Sequence, residues 1–137
     1  MQTLLDILKR AGGWNPSLYL KIENSPDMAL VIEATDSGPS GLPAISVAHY
    51  GEQNGDLMRD PEMCFELGSA EEPHLDPFYF RNDYIGVEQW SRTIERGHYV
   101  HLSGLYEQHQ QFAKQWDNNL RLQGFAEAFE RQHSLRS

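Results

Sequence analysis

The stretch HYGEQNGDLMRDPEM, residues 49–63, gathers a histidine, a tyrosine, acids, amides and two glycines between two apolar runs. Glu52, Asn54 and Asp56 stand at alternate positions, as the first oxygen ligands of a calcium loop do. The match to a helix–loop–helix calcium site then fails: Gly55 comes two places too early, and Met63 stands where the closing glutamate belongs. A looser carboxylate site for magnesium or calcium, drawing on Glu52, Asp56, Asp60 or Glu62 with His49 as a general base, is the chemistry left open to an enzyme. Two other readings of the same residues need no catalysis. Asn54-Gly55 is the strongest short hairpin signal, because both residues tolerate positive φ, so the segment can be a structural turn. An exposed loop tip of this composition also suits partner binding, with Tyr50, Glu52, Asn54, Asp56, Arg59, Asp60 and Glu62 as the contact residues.

The other reactive side chains yield less. His98 and His101 would share a metal on a helix, but on the strand expected for HYVHL their odd spacing sends them to opposite faces. Cys64 and His49 have the types of a nucleophile and its base, yet alternation places them on opposite faces too, and nothing marks an activated thiol. A single cysteine forms no internal disulfide. Phosphate-binding glycine loops, nucleophile elbows and HExxH motifs are absent from the sequence. No catalytic residue, metal ligand or cofactor is therefore assigned.

Charge narrows the partner. The formal net charge is -9, and it is concentrated in residues 52–88. That stretch holds Glu52, Asp56, Asp60, Glu62, Glu66, Glu71, Glu72, Asp76, Asp83 and Glu88 against only Arg59 and Arg81, while both flanks are near neutral. Direct binding of nucleic acid needs clustered lysine and arginine, which this chain lacks. A basic surface, such as that of a nucleic-acid-binding protein, is the natural complement. A solvated face kept for solubility is the bland alternative.

These residues must be positioned by the flanking elements. Thr3 and Asp6 resemble a capping box for a first helix with Leu4, Leu5, Leu8 and Ala11 on one stripe and Gly12-Gly13 at its end. LYLKIEN and MALVIEA alternate as strands around a turn at residues 24–27, placing Leu18, Leu20 and Ile22 on one face and Met28, Leu30 and Ile32 together. Residues 36–43 are too rich in Gly and Pro for regular structure. AISVAHY and EMCFEL are strands whose Ile45, Val47, Met63, Phe65 and Leu67 face the core. Ser46, Ala48, Tyr50, Glu62, Cys64 and Glu66 share the other face, His49 falls at the rim of the apolar side, and Asp60-Pro61 stands at a strand start. Residues 74–90 hold one or two strands. From Ser103 the period becomes helical, with Leu105, Phe112, Trp116 and Leu120 continued by Phe125 and Phe129 as one long helix kinked near Gly124.

Helix, adjacent strands and helix, without strand–helix–strand alternation, predict an α+β domain: a mainly antiparallel sheet packed by an N-terminal helix and a long C-terminal helix. At 137 residues the chain is expected to be a single domain, 1–137, able to remove roughly two-thirds of its unfolded surface from water. No apolar run has membrane-spanning length, and the amino terminus lacks a signal-peptide pattern, so a cytoplasmic protein is expected.

With LKIENSPDMALVIEA before it and FAKQWDNNLRLQGF after it, GLPAISVAHYGEQNGDLMRDPEMCFEL, residues 41–67, resembles a bacterial domain family of unknown function. Its most specific part is the EQNGDLMRDPEM core. The resemblance covers nearly the whole chain and transfers no activity, substrate or catalytic residue. What it implies is a setting, in plasmid, phage and integrative-element genes, where small acidic proteins bind and inhibit host defence or replication proteins. The expected function is thus a non-enzymatic protein-binding module for a basic or nucleic-acid-binding partner, with the character of a partial DNA mimic. A small metal-dependent hydrolase or nucleotide-processing enzyme using the 49–62 carboxylates is the alternative.

Overall fold

The computed structural model describes residues 1–68 and 72–134; Glu71, counted in the acidic stretch, lies outside them. The elements are α1 (Gln2–Arg10), β1 (Tyr19–Asn24), β2 (Asp27–Thr35), β3 (Ala44–Gln53), β4 (Asp56–Leu67), β5 (Leu75–Asn82), β6 (Val87–Trp90), β7 (Arg92–Glu95), β8 (His98–His101), α2 (Ser103–Leu122) and α3 (Phe125–Ser134). Strands β1 to β6 form an antiparallel meander in sequence order, and β7 pairs with β8 in a separate hairpin. This is the expected α+β architecture.

Alternation decides which face is dry. Ile22, Leu30, Ile32, Ile45, Val47, Met63 and Phe65 project from one side of the sheet and are fully buried under Leu4, Ile7 and Leu8 of α1, Trp116 and Leu120 of α2, and Phe125 and Phe129 of α3. His49 lies at the end of this layer, buried edge-on to Trp116 at a 5.6 Å centroid distance and beside Phe125 at 5.5 Å. Its Nδ1 lies 3.2 Å from the Ala29 carbonyl oxygen.

Several local expectations are corrected. The helix α1 begins at Gln2, so Thr3 is inside it rather than its cap. The cap comes from another helix: the backbone N–H groups of Thr3 and Leu4 donate to the Asp117 carboxylate of α2, each at 3.2 Å. Ile7, not Leu5, completes the most buried stripe. The long C-terminal helix is two helices, because Gly124 adopts φ +81° and ends the first run. Pro61 does not open a strand. It lies inside β4, where Asp60 and Pro61 together oppose His49 in a bulge that absorbs the missing N–H. Residues 74–90 supply two strands, and β7, absent from the sequence reading, is an added short one.

Candidate partner-binding face

The segment 49–63 is not a loop. Strand β3 runs to Gln53 and β4 starts at Asp56, so only Asn54 (φ +53°) and Gly55 (φ +85°) make the turn of a long two-stranded arm. Across this arm Tyr50 pairs with Arg59, Glu52 with Leu57, and Gln53 with Asp56. The pleat therefore sends Tyr50, Glu52, Leu57 and Arg59 to the face that the helices leave open. Asp56 turns to the other side. There a Cβ at Gly51 would meet the Tyr84 hydroxyl, the outer end of a half-exposed side chain that lies over the arm near Met28, so a larger residue would displace that ring.

The open face is divided between a neutralised half and an unmatched half. Arg59 Nε lies 3.0 Å from Glu62 Oε1 without the alignment of a hydrogen bond, and Arg59 Nη1 lies 3.8 Å from Asp83 Oδ2. The Arg59 backbone N–H donates to the same Asp83 oxygen at 2.8 Å. Arg81 Nε donates to Asp83 Oδ1 at 2.7 Å, and Arg81 Nη1 lies 3.6 Å from Glu88. Glu88 also accepts the Tyr79 hydroxyl at 2.6 Å, and Glu62 accepts the Ser46 hydroxyl at 2.5 Å. The Arg59 N–H, and then Arg81, hold the Asp83 carboxyl below its ordinary value. Burial, followed by the Glu62 charge, pushes the Cys64 thiol up to about 12, which removes it as a nucleophile at neutral pH. Burial and Glu62 also raise the Tyr50 hydroxyl.

Toward β1 the face changes character. Tyr19 is 59% exposed and Leu57 is 66% exposed, and with Tyr50 they border a trough floored by Ala29 and Val31. Lys21 is already 3.4 Å from Glu23. Among the described residues Glu33, Glu52 and Asp56 make no ion pair within 4 Å.

At the opposite end of the same face, the 36–43 loop and β7 fold over Glu66 and bury it completely. Glu66 Oε1 accepts from Arg92 Nη1 at 2.6 Å, and Oε2 accepts the backbone N–H groups of Ser40 at 2.9 Å and Leu42 at 3.2 Å. Arg92 donates further to the carbonyls of Pro77 and Asp76, and its Nη2 lies 3.4 Å from the Asp76 carboxylate. Tyr106 donates to that carboxylate as well. Every polar arm of this cluster is engaged, so it acts as a tie between five segments of chain: the 36–43 loop, β4, β5, β7 and α2.

Of the seven residues singled out from sequence, Tyr50, Arg59 and Glu62 meet on the open face, with the Arg59 guanidinium 6.0 Å from the Tyr50 ring centroid. Glu52, Asn54 and Asp56 are exposed at the arm's tip. Asp60 stands apart, accepting from Asn82 Nδ2 at 2.9 Å. The four carboxylates proposed as metal ligands do not converge, and among the described residues no group of three or more His, Cys, Asp and Glu is placed to hold an ion. His49 lies on the helix-covered side and faces none of the open-face carboxylates. Burial lowers its pKa below 6.5, as it does for His109, which stands between Ser91 and Gln89. The sequence reading missed Tyr19, Val31, Glu33 and Leu57. Leu57 carried a usable signal, since an aliphatic residue beside a hairpin turn, in step with Glu52 and Arg59, has no core to enter.

A family model described as Domain of unknown function (DUF6908) matches residues 2–126. The chain belongs to this family. The match takes in the whole sheet, the hairpin β7–β8, α1 and α2, while the part of α3 that carries Gln132 follows the matched DUF6908 region. No curated protein and no solved structure matches the chain. Among the described residues no helix is long and apolar enough to cross a membrane.

Proposed function

We propose that this DUF6908 chain is a non-enzymatic protein-binding module that engages a basic or nucleic-acid-binding protein through the open face and the β3–β4 arm. One observation carries the reading. The cations of this face, Lys21, Arg59 and Arg81, are already matched to carboxylates, whereas Glu33 and Glu52 remain unmatched beside exposed Tyr19 and Leu57, and Asp56, also unmatched, stands on the reverse side of the arm's tip. A surface that has used its positive charge internally presents a net negative field to a partner, and that field raises the rate of encounter with a basic surface. Tyrosine and leucine beside it supply the apolar contact that holds the complex once formed. Arg59, Glu62, Asp83 and Arg81 act as the frame that keeps the arm in line with the sheet. The resemblance of the EQNGDLMRDPEM core adds the setting: a cytoplasmic accessory protein of a bacterial mobile element, acting on host defence or replication proteins.

The test is affinity capture from the native host with the wild-type chain and with a Glu52→Lys, Asp56→Lys double variant. Asp60 is spared because its bond to Asn82 is structural. The captured protein is expected to be basic, and its association with wild type should slow as salt rises, since exposed charges more than about 8 Å apart are screened at physiological ionic strength. The double variant should associate slowly at every salt concentration. A partner that ignores both salt and the reversals would reduce the acidic tip to a solubilising feature.

A further inference from the structure

Tyr19 and Glu33 are directly paired across β1 and β2 and point to the open face. Such neighbours have Cβ atoms about 5 Å apart. An aromatic ring beside a carboxylate without an ion-pair partner makes a seat for a guanidinium or ammonium group, with the ring face attracting the cation and the carboxylate accepting its hydrogen bonds. Arg59 over Tyr50 is this chain's own example of the first contact. Moving along β2 from Glu33, the next side chains on the same face are Val31 and then Ala29, at steps of about 6.8 Å for two residues of extended chain. Both belong to the trough, which Tyr50 and Leu57 close at its far end; its own cation, Lys21 opposite Val31, is turned to Glu23 at 3.4 Å, leaving the Glu33 carboxylate as the unmatched charge of the lining.

We infer that this trough is the seat of an extended basic segment of the partner, lying along β2 with an arginine or lysine at Tyr19 and Glu33 and an aliphatic side chain two or four residues away over Val31 and Ala29. The inference rests on the binding reading above and names the part of the face that takes the partner's chain. A second copy of this chain is a poor occupant, because its net charge of -9 opposes close approach of two such faces. Nucleic acid is excluded by the same carboxylates. A purely apolar ligand would leave Glu33 desolvated without a partner.

The full chain, labelled at its alanine, valine and methionine methyl groups so that Met58 reports on the arm's tip, is titrated with a short synthetic peptide of alternating arginine and leucine, and with a second peptide carrying glutamate for arginine. The arginine peptide is expected to shift the methyl resonances of Ala29 and Val31, and the glutamate peptide to shift none. Glu33→Lys should weaken the arginine peptide by at least about tenfold, the size of one lost charge-assisted hydrogen bond. Leu57→Ser should weaken it while leaving the melting temperature unchanged. The Glu52→Lys, Asp56→Lys tip variant should keep the same methyl shifts. Shifts confined to the arm's tip would overturn the trough as the seat and leave the binding module standing. Equal binding of both peptides, or none of the arginine peptide, would overturn the basic segment. So would a host partner, captured as above, that binds Glu33→Lys and Leu57→Ser as tightly as wild type.

Discussion

Replacing Arg92 by methionine tests whether the buried tie to Glu66 holds the 36–43 loop and β7 to the sheet. Arg92 is 3% exposed and Glu66 is 0% exposed, so neither charge is screened by water. Arg92→Met removes the 2.6 Å bond to Glu66 Oε1, leaving that carboxylate with only the two N–H groups of Ser40 and Leu42 on its other oxygen. The carbonyls of Pro77 and Asp76 lose their donors at the same time. Removing one partner of a buried pair costs about 3–5 kcal/mol, because the remaining charge stays desolvated. That is a large fraction of the roughly 5–15 kcal/mol by which a domain is stable. With a urea dependence of about 2 kcal/mol/M, the unfolding midpoint should fall by about 1.5–2.5 M. Amide exchange should rise first at Ser40 and Leu42, whose acceptor is no longer fixed by Arg92, before the sheet opens. A midpoint shift under about 0.5 M, close to 1 kcal/mol, would show that the pair exchanges with water and that the loop is held by something else.

Four further outcomes are expected. Trp116→Ala should cost about 3–5 kcal/mol in urea unfolding, since Trp116 is 5% exposed and packs on His49 and Phe112; an unchanged midpoint would mean that α2 does not close the core. Burial holds His49 and His109 below 6.5, so the unfolded chain binds more protons than the folded one in the window beneath that value. Stability should therefore be full above 6.5 and fall as pH drops through the window, with a flatter midpoint profile for a His49→Phe, His109→Gln variant; Asp83, lowered from 3.8, contributes its own loss only at more acid pH. Gln132 accepts the Glu23 N–H at 3.1 Å and donates to the Lys21 carbonyl at 2.7 Å, occupying the free edge of β1 as a neighbouring strand would. Gln132→Ala should expose that edge and shift the sedimentation profile toward self-association at high concentration, whereas an unshifted monomer would assign edge protection elsewhere. Magnesium, calcium or manganese should leave the melting temperature unchanged, and a rise abolished by Asp56→Asn would restore the carboxylate site.

Most of the fold is legible in the sequence because its signals are local. Period-two alternation in residues 18–23, 28–33, 44–50 and 62–67 fixes which side chains face the core. It also explains why Cys64 and His49 are separated by the sheet. Asn54-Gly55 determines the hairpin, and Gly124 marks where the late apolar stripe must break. Tertiary structure decided what is non-local. The Glu66–Arg92 tie spans 26 residues and the Asp117 cap reaches α1 across 113 and 114 residues, distances over which no spacing rule operates. Charge is the sharpest case. The sequence determined that residues 52–88 are acidic, but which of those acids remain available depended on Arg59, Arg81 and Arg92 being brought beside Glu62, Asp83, Glu88, Glu66 and Asp76. The trough likewise exists only because β1, β2 and the β3–β4 arm lie side by side, joining Tyr19, Glu33, Val31, Tyr50 and Leu57 from four strands. Ion pairs, hydrogen bonds and apolar contacts form only between groups a few ångströms apart, so side-chain neighbours, rather than positions along the chain, determine what this face can hold.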